Sequence, residues 1–88
     1  MTEMMLLEHL EEIALRLGVA LRYENLCQTG VRSDGGYCKL AGKPMIIINR
    51  RDSQRRKISI LAKSLNKLNL DGIFIPPAIR KLIESQEN

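Results

Sequence analysis

Two short apolar stretches separated by a glycine-containing connection constrain the fold of this chain more than any other feature. The stretches are residues 37–40 and 45–48, and residues 41–44 connect them. Strand-forming side chains on both sides of a short turn are typical of a β-hairpin. We therefore predict a hairpin whose Ile46 and Ile48 side chains face the core.

Amphipathic helices are predicted on both sides of this hairpin. Between residues 3 and 17, leucine and isoleucine recur at helical spacing, and Gly18 is suited to end such a helix. After the hairpin, Asp52 or Ser53 can cap a second helix. Its apolar stripe consists of Ile58, Leu61, Ala62, Leu65 and Leu68. Pro76 and Pro77 suit the first turn of a third helix that contains residues 79–83.

The remaining segments complete an α+β pattern. Alternating side chains in residues 19–24 predict a first strand, residues 28–36 have the composition of a loop, and residues 73–75 form a short extended piece. We predict one domain over residues 1–88, with a small antiparallel sheet of about three strands covered by about three helices. An antiparallel sheet is favoured because parallel strands need a long crossover, usually a helix. Residues 84–88 are predicted to fray.

Composition excludes several classes of protein. The longest apolar run, residues 45–48, is far shorter than the ~20 residues of a membrane helix, and the N-terminus lacks the pattern of a signal peptide. We therefore expect a cytoplasmic protein of bacterial type, with reduced cysteines and no membrane partner. The chain has 2 cysteines and 1 histidine, too few for the usual zinc sites, so we expect no metal and no cofactor.

Basic residues around the start of the second helix are the candidate binding residues. They are Arg50, Arg51, Arg55, Arg56, Lys63 and Lys67, in a chain of net charge +4. On a helical projection, Arg56, Lys63 and Lys67 share one face, where they could contact phosphates as point charges. The alternative is an ordinary solvated helix face. Only three aromatic residues are present, which is unlike the base-stacking surfaces of single-strand binders.

Cys38 and His9 are the two candidates for chemical reactivity or metal binding. Cys38 follows a glycine pair and could be a reactive thiol, although a buried structural cysteine is the expectation. A nucleophile needs a base, and His9 is the one histidine of the chain. His9 and Glu12 could share a helix face as metal ligands, but two ligands do not make a site, and a surface histidine paired with a carboxylate is expected.

The strand Ile46-Ile47-Ile48-Asn49 leads through a charged turn to a helix that contains Ala62-Lys63-Ser64 and Lys67. This order resembles the core of ImmA/IrrE-type zinc metallopeptidases. In that family a strand ending near an asparagine leads through a charged turn to a helix bearing HExxH. Here the strand ends at Asn49, and Lys63, Ser64 and Lys67 stand where the resemblance places the first zinc histidine, the catalytic glutamate and the second histidine. Two ammonium groups would repel a zinc ion. The resemblance therefore implies a degenerate descendant without peptidase activity.

These observations predict a non-catalytic binding or regulatory module of unspecified partner. No complete nucleophile–base pair, carboxylate pair or phosphate-binding glycine motif is visible in the sequence. The partner is expected to be a protein or a nucleic acid, the latter held through the basic face of the second helix. A further alternative is a homo-oligomeric interaction protein, for example a homodimer formed through the hairpin edge or the third helix.

Overall fold

The computed structural model describes residues 1–25 and 35–86 of the chain. Its elements are α1 (Glu3–Arg16), β1 (Ala20–Glu24), β2 (Gly36–Leu40), β3 (Lys43–Asn49), α2 (Gln54–Asn66) and α3 (Pro77–Glu84). Three helices and a three-stranded sheet confirm the predicted α+β class. Most of the predicted loop 28–36 lies outside the described residues.

The sheet has the strand order β1-β3-β2, so β3 lies between the other two strands. β2 and β3 pair antiparallel and form the predicted hairpin. β1 pairs with β3 in parallel, with Ala20 opposite Met45 and Glu24 opposite Asn49. The sheet is thus mixed, and the prediction of a purely antiparallel sheet is wrong. Residues 25–42, which include β2, connect the two parallel strands, and this length meets the dozen or more residues that such a connection needs.

The hairpin turn is shorter than the predicted connection of residues 41–44. Only Ala41 and Gly42 separate the two strands, and both have positive φ, at 54° and 79°. Two consecutive residues of positive φ are the mark of a type I′ turn, whose twist matches that of the strands. Pro44 belongs to β3, opposite Lys39, and lies before the first residue of β3 that pairs with β1. Its missing N–H therefore removes no bond to β1.

Side-chain caps begin the first two helices. The Thr2 side chain accepts a hydrogen bond from the Met5 amide, and the Ser53 side chain accepts one from the Arg56 amide, both at 3.2 Å. Of the two predicted caps of α2, serine is the one used. α3 begins at Pro77, as predicted. Proline suits the first helical position because a backbone N–H there would have no acceptor within the helix.

The core lies between the helices and one face of the sheet. Its fully buried large side chains come from α1, β3, α2 and α3: Leu10, Ile46, Ile48, Leu61, Leu65, Ile79 and Ile83. Ile46 and Ile48 face this core as predicted, and four members of the predicted α2 stripe are buried. The fifth, Leu68, follows the end of α2 and packs against the core while partly exposed.

The segment between α2 and α3 contains the predicted short extended piece 73–75. These residues belong to no helix or strand, and within them Ile75 is buried while Phe74 is 79% exposed. Asn66 Nδ2 donates a hydrogen bond of 2.7 Å to the Gln86 carbonyl. The fraying of residues 84–88 stays a prediction, and residues 87–88 lie outside the described part. No helix in the described ranges has the length and apolar character to cross a membrane.

Tyr23 connects three elements, and we expect its hydroxyl to make the stability of the fold depend on pH in the alkaline range. Its hydroxyl donates a hydrogen bond to the Glu11 carboxylate of α1, and the Lys57 ammonium of α2 lies 5.6 Å from its ring centroid. Burial, followed by the bond to Glu11, raises the pKa of Tyr23 above its ordinary value.

We expect Tyr23→Phe to remove one component of alkaline destabilisation. Above pH ~10 the unfolded chain loses the Tyr23 proton while the folded protein retains it, so stability falls as pH rises. The advantage of the wild type over Tyr23→Phe should shrink by less than about 1 kcal/mol per pH unit, since the ring is only partly buried. Urea unfolding between pH 8 and pH 11 measures this; an unchanged difference would contradict the raised pKa.

Candidate functional site

A basic cleft lies between the exposed face of α2 and the start of β2. Its volume is about 280 Å³. The residues that line it are Gly35, Gly36, Tyr37, Arg56, Ser59, Ile60, Lys63, Ser64 and Lys67. We call this site the basic cleft.

Helix α2 supplies two of the three cations of the basic cleft, and its C-cap residue Lys67 supplies the third. Arg56, Lys63 and Lys67 are spaced by seven and four residues, which places them along one side of the helix over a rise of about 16 Å. The opposite side of α2 is buried in the core through Ile58 and Leu65. The packing of α2 therefore turns the predicted basic face outward into the cleft.

The start of β2 forms the opposite wall. Gly35 has φ +83°, and a Cβ built on it would lie 2.5 Å from the Ile47 carbonyl oxygen of β3. This close approach requires glycine. Tyr37 is opposite Ile46 in the β2–β3 ladder, so its side chain lies on the helix side of the sheet, where it packs against the core and lines the cleft.

The three cations of the basic cleft differ in their contacts with the described carboxylates. Arg56 Nε lies 3.9 Å from Asp52 Oδ2, and the Arg56 side chain is 53% exposed. Lys63 and Lys67 are exposed, and neither makes an ion pair with a carboxylate of the described residues. No acidic residue in the described part of the chain lines the cleft. The described lining of the cleft therefore carries three positive charges and no negative one.

Two serines add hydroxyl groups to the lining. Ser59 is exposed one turn after Arg56, whereas Ser64 is 3% exposed and its Oγ donates a 2.8 Å hydrogen bond to the Ile60 carbonyl. Neither serine was predicted as a site residue from the sequence, and neither was Tyr37. The spacing of Ser59 from Arg56 and Lys63 was an available signal, since all three fall on one helix face.

The other three predicted binding residues lie outside the basic cleft. Arg50 Nη2 donates to the Tyr23 carbonyl at 3.3 Å, and the Arg51 amide donates to Asn49 Oδ1 at 3.1 Å in the turn before α2. Arg55 Nε lies 3.6 Å from Glu3 Oε2 of α1. The structure thus brings together Arg56, Lys63 and Lys67 and separates Arg50, Arg51 and Arg55 from them.

The structure corrects the expectations for Cys38 and His9. Cys38 is an exposed free cysteine, so the prediction of a buried structural cysteine is wrong. It follows Tyr37, and because side chains alternate along a strand it points away from the helices. His9 lies on α1, partly buried, and forms no ion pair with a described carboxylate. Cys27 lies outside the described residues.

The lining of the basic cleft does not fit a zinc ion. Lys63, Ser64 and Lys67 offer two cations and one hydroxyl that is already bonded to a carbonyl. Among residues 1–25 and 35–86, no group of three or more histidine, cysteine or acidic side chains could hold a metal ion. The chemistry available in the cleft is the attraction and hydrogen bonding of an anion.

The resemblance to ImmA/IrrE-type peptidases stays a prediction, as does the absence of peptidase activity that it implies. Comparisons of the chain with protein-family models, with curated proteins and with solved structures found no match.

Proposed function

We propose that the protein is a non-catalytic binding module that holds an anionic partner in the basic cleft. The observation that supports this is the convergence of Arg56, Lys63 and Lys67 on one cleft whose described lining contains no carboxylate. Cations that share a concave surface strengthen each other's field and increase the rate at which anions associate. The net charge of +4 acts in the same direction.

The side chains around the cations match an anion in chemistry as well as in charge. Arg56 offers a planar fork of donors, the two lysines offer compact point charges, and the hydroxyl of Ser59 is exposed beside them. Hydrogen bonds between charged donors and anionic oxygens are about twice as strong as neutral ones. A carboxylate or phosphate group entering the cleft would therefore find both attraction and directed donors.

The separation of the candidate nucleophile from the candidate base supports the non-catalytic part of the proposal. Cys38 lies on the sheet face that points away from the helices, whereas His9 lies on α1. A thiol needs its base within hydrogen-bond reach. Neither residue lines the basic cleft, where the anion would sit.

We expect the basic cleft to bind a short DNA duplex, used here as a polyanion probe, in a strongly salt-dependent way. Three phosphate contacts predict that log affinity falls against log salt concentration with a slope of about −3. Replacing Lys63 and Lys67 together with glutamine should flatten the slope by about two units, because two of three charges are removed. Thermal stability should change little, since exposed lysines contribute little to folding.

A matched control is the double substitution of Lys43 and Lys81 with glutamine. Both lysines are exposed and lie outside the basic cleft, so the net charge changes equally while the site stays intact. In this control variant, the slope of log affinity against log salt concentration should stay close to the wild-type value. Equal flattening by both double variants would show binding to overall charge and not to the cleft. An early melting of the Lys63 and Lys67 variant would mark those lysines as structural.

Self-association is a second candidate function, favoured by the open face of the sheet. The residues with apolar side chains on that face are Ala20, Cys38, Leu40, Met45 and Ile47, and Leu40 is 60% exposed. No described helix packs against this face. A homodimer through the hairpin would cover it. Sedimentation equilibrium over a wide concentration range tests this, and a strict monomer at the highest concentration rejects it.

A further inference from the structure

An apolar groove adjoins the basic cleft. Its volume is also about 280 Å³. The residues that line it are Leu17, Val19, Tyr37, Lys39, Gly42, Pro44, Leu68 and Asn69. We call it the apolar groove, because its walls are mainly the aliphatic side chains that follow α1, the Tyr37 ring and Leu68.

The cleft and the groove are neighbours on both elements that form them. On the strand side Tyr37 lines both, with Gly36 before it in the basic cleft and Lys39 after it in the apolar groove. On the helix side Lys67 lines the basic cleft and the next residue, Leu68, lines the apolar groove. The surface therefore changes from basic to apolar at one place, across Tyr37.

A ligand that fills both parts needs anionic groups and an aliphatic group close together. Nucleic acids supply the anionic groups but have no aliphatic side chain of leucine type. A small-molecule pocket usually surrounds most of its ligand. Here exposed residues such as Lys63 and Asn69 form the walls, so a ligand that spans both parts stays open to solvent along much of its length. An elongated ligand that lies across the surface fits better.

We infer that the basic cleft and the apolar groove together bind one acidic polypeptide segment. Its carboxylates lie against Arg56, Lys63 and Lys67, and an aliphatic side chain enters the groove beside Leu68. This inference rests on the proposed function, because the carboxylates occupy the proposed anion site. The positive charge of the cleft gives rate and selectivity for acidic segments, and burial of the aliphatic side chain adds affinity.

The test compares dodecapeptides of equal charge by fluorescence anisotropy at low salt. One set places a single leucine at successive positions among glutamates, the other places serine there, and a DNA duplex is the third probe. The best leucine peptide should bind about tenfold more tightly than its serine counterpart, because an aliphatic side chain leaves water. The unmodified protein serves for this comparison, so the result does not depend on the folding of a variant.

Two protein variants then locate the two parts of the ligand. Leu68→Ser should reduce the preference for leucine over serine to about twofold or less, since it removes part of the groove wall. Glutamine at Lys63 and Lys67 should weaken both peptide sets by a similar factor and leave the preference in place. Each variant's melting temperature is the check that it remains folded.

The outcomes separate this inference from the proposed function. If the duplex binds but no leucine peptide exceeds its serine counterpart, the cleft is an anion site and the inference is wrong. A leucine preference that persists in folded Leu68→Ser also overturns it, because the side chain then binds elsewhere. If neither the duplex nor any peptide binds at low salt, the proposed function fails as well.

Discussion

Leu65→Ala should lower the free energy of unfolding by ~2–5 kcal/mol, a cost typical of leucine truncation in a packed core. Leu65 is 0% exposed and lies on α2, the helix that contacts α1, α3, β2 and β3. Removing its isobutyl group loses the transfer free energy of that group and leaves a cavity in the core. For a domain of this size such a loss is a large part of total stability.

Urea titration of the wild type and the variant measures this loss. Leu15→Ala is the matched control, since Leu15 is a leucine of α1 that is 68% exposed. It should change stability by no more than ~0.5 kcal/mol. A loss below about 1 kcal/mol for Leu65→Ala would mean that the inner face of α2 is assigned wrongly.

Gly35→Ala should destabilise the protein by ~2–4 kcal/mol, since two costs add. Alanine at φ +83° lies in a region that side chains disfavour, and its Cβ would meet the Ile47 carbonyl oxygen at 2.5 Å. Backbone atoms cannot turn aside as a flexible side chain can, so the start of β2 must move away from β3. Because Gly35 lines the basic cleft, we also expect weaker duplex binding.

The control variant Gly18→Ala separates the cost of the positive φ from the cost of the Cβ contact. Gly18 has φ +75°, but a Cβ there would have no atom within 4 Å. This variant should lose only ~1–2 kcal/mol of stability, which is the cost of a non-glycine residue in the left-handed region. Its duplex binding should be unchanged. Thermal melts with duplex titrations measure both quantities. If Gly35→Ala were no worse than Gly18→Ala, the close approach of β2 to β3 at Ile47 would be contradicted.

The helices and the hairpin could be predicted because they depend on local pattern. The leucine and isoleucine spacing of α1 and α2 and the two apolar stretches of the hairpin are visible in short windows of sequence. The parallel pairing of β1 with β3 could not be predicted in this way, because it joins residues 25 apart in sequence, such as Ala20 and Met45. One sequence feature does indicate the strand order: β3 is the most apolar strand, and it is the central one, with neighbours on both sides.

The candidate site was predicted only in its helical part. The helical projection placed Arg56, Lys63 and Lys67 together because the first two lie on α2 and Lys67, its C-cap residue, continues the helical backbone. Tyr37 joins them through tertiary packing, which no local window contains. The error at Cys38 has a similar origin, since Cys38 and Leu40 are both apolar and share a strand face, so the pattern of β2 did not show that this face is the outer one.

The central position of β3 affects how the chain can fold while it is being synthesised. Synthesis releases β1 and β2 before β3, yet β1 and β2 share no pairing of their own. A nascent chain that ends before residue 43 therefore has no partner for either strand. We expect the sheet to assemble only once residue 49 has left the ribosome, with α2 following at once to cover it. Until then α1 has no sheet on which to dock.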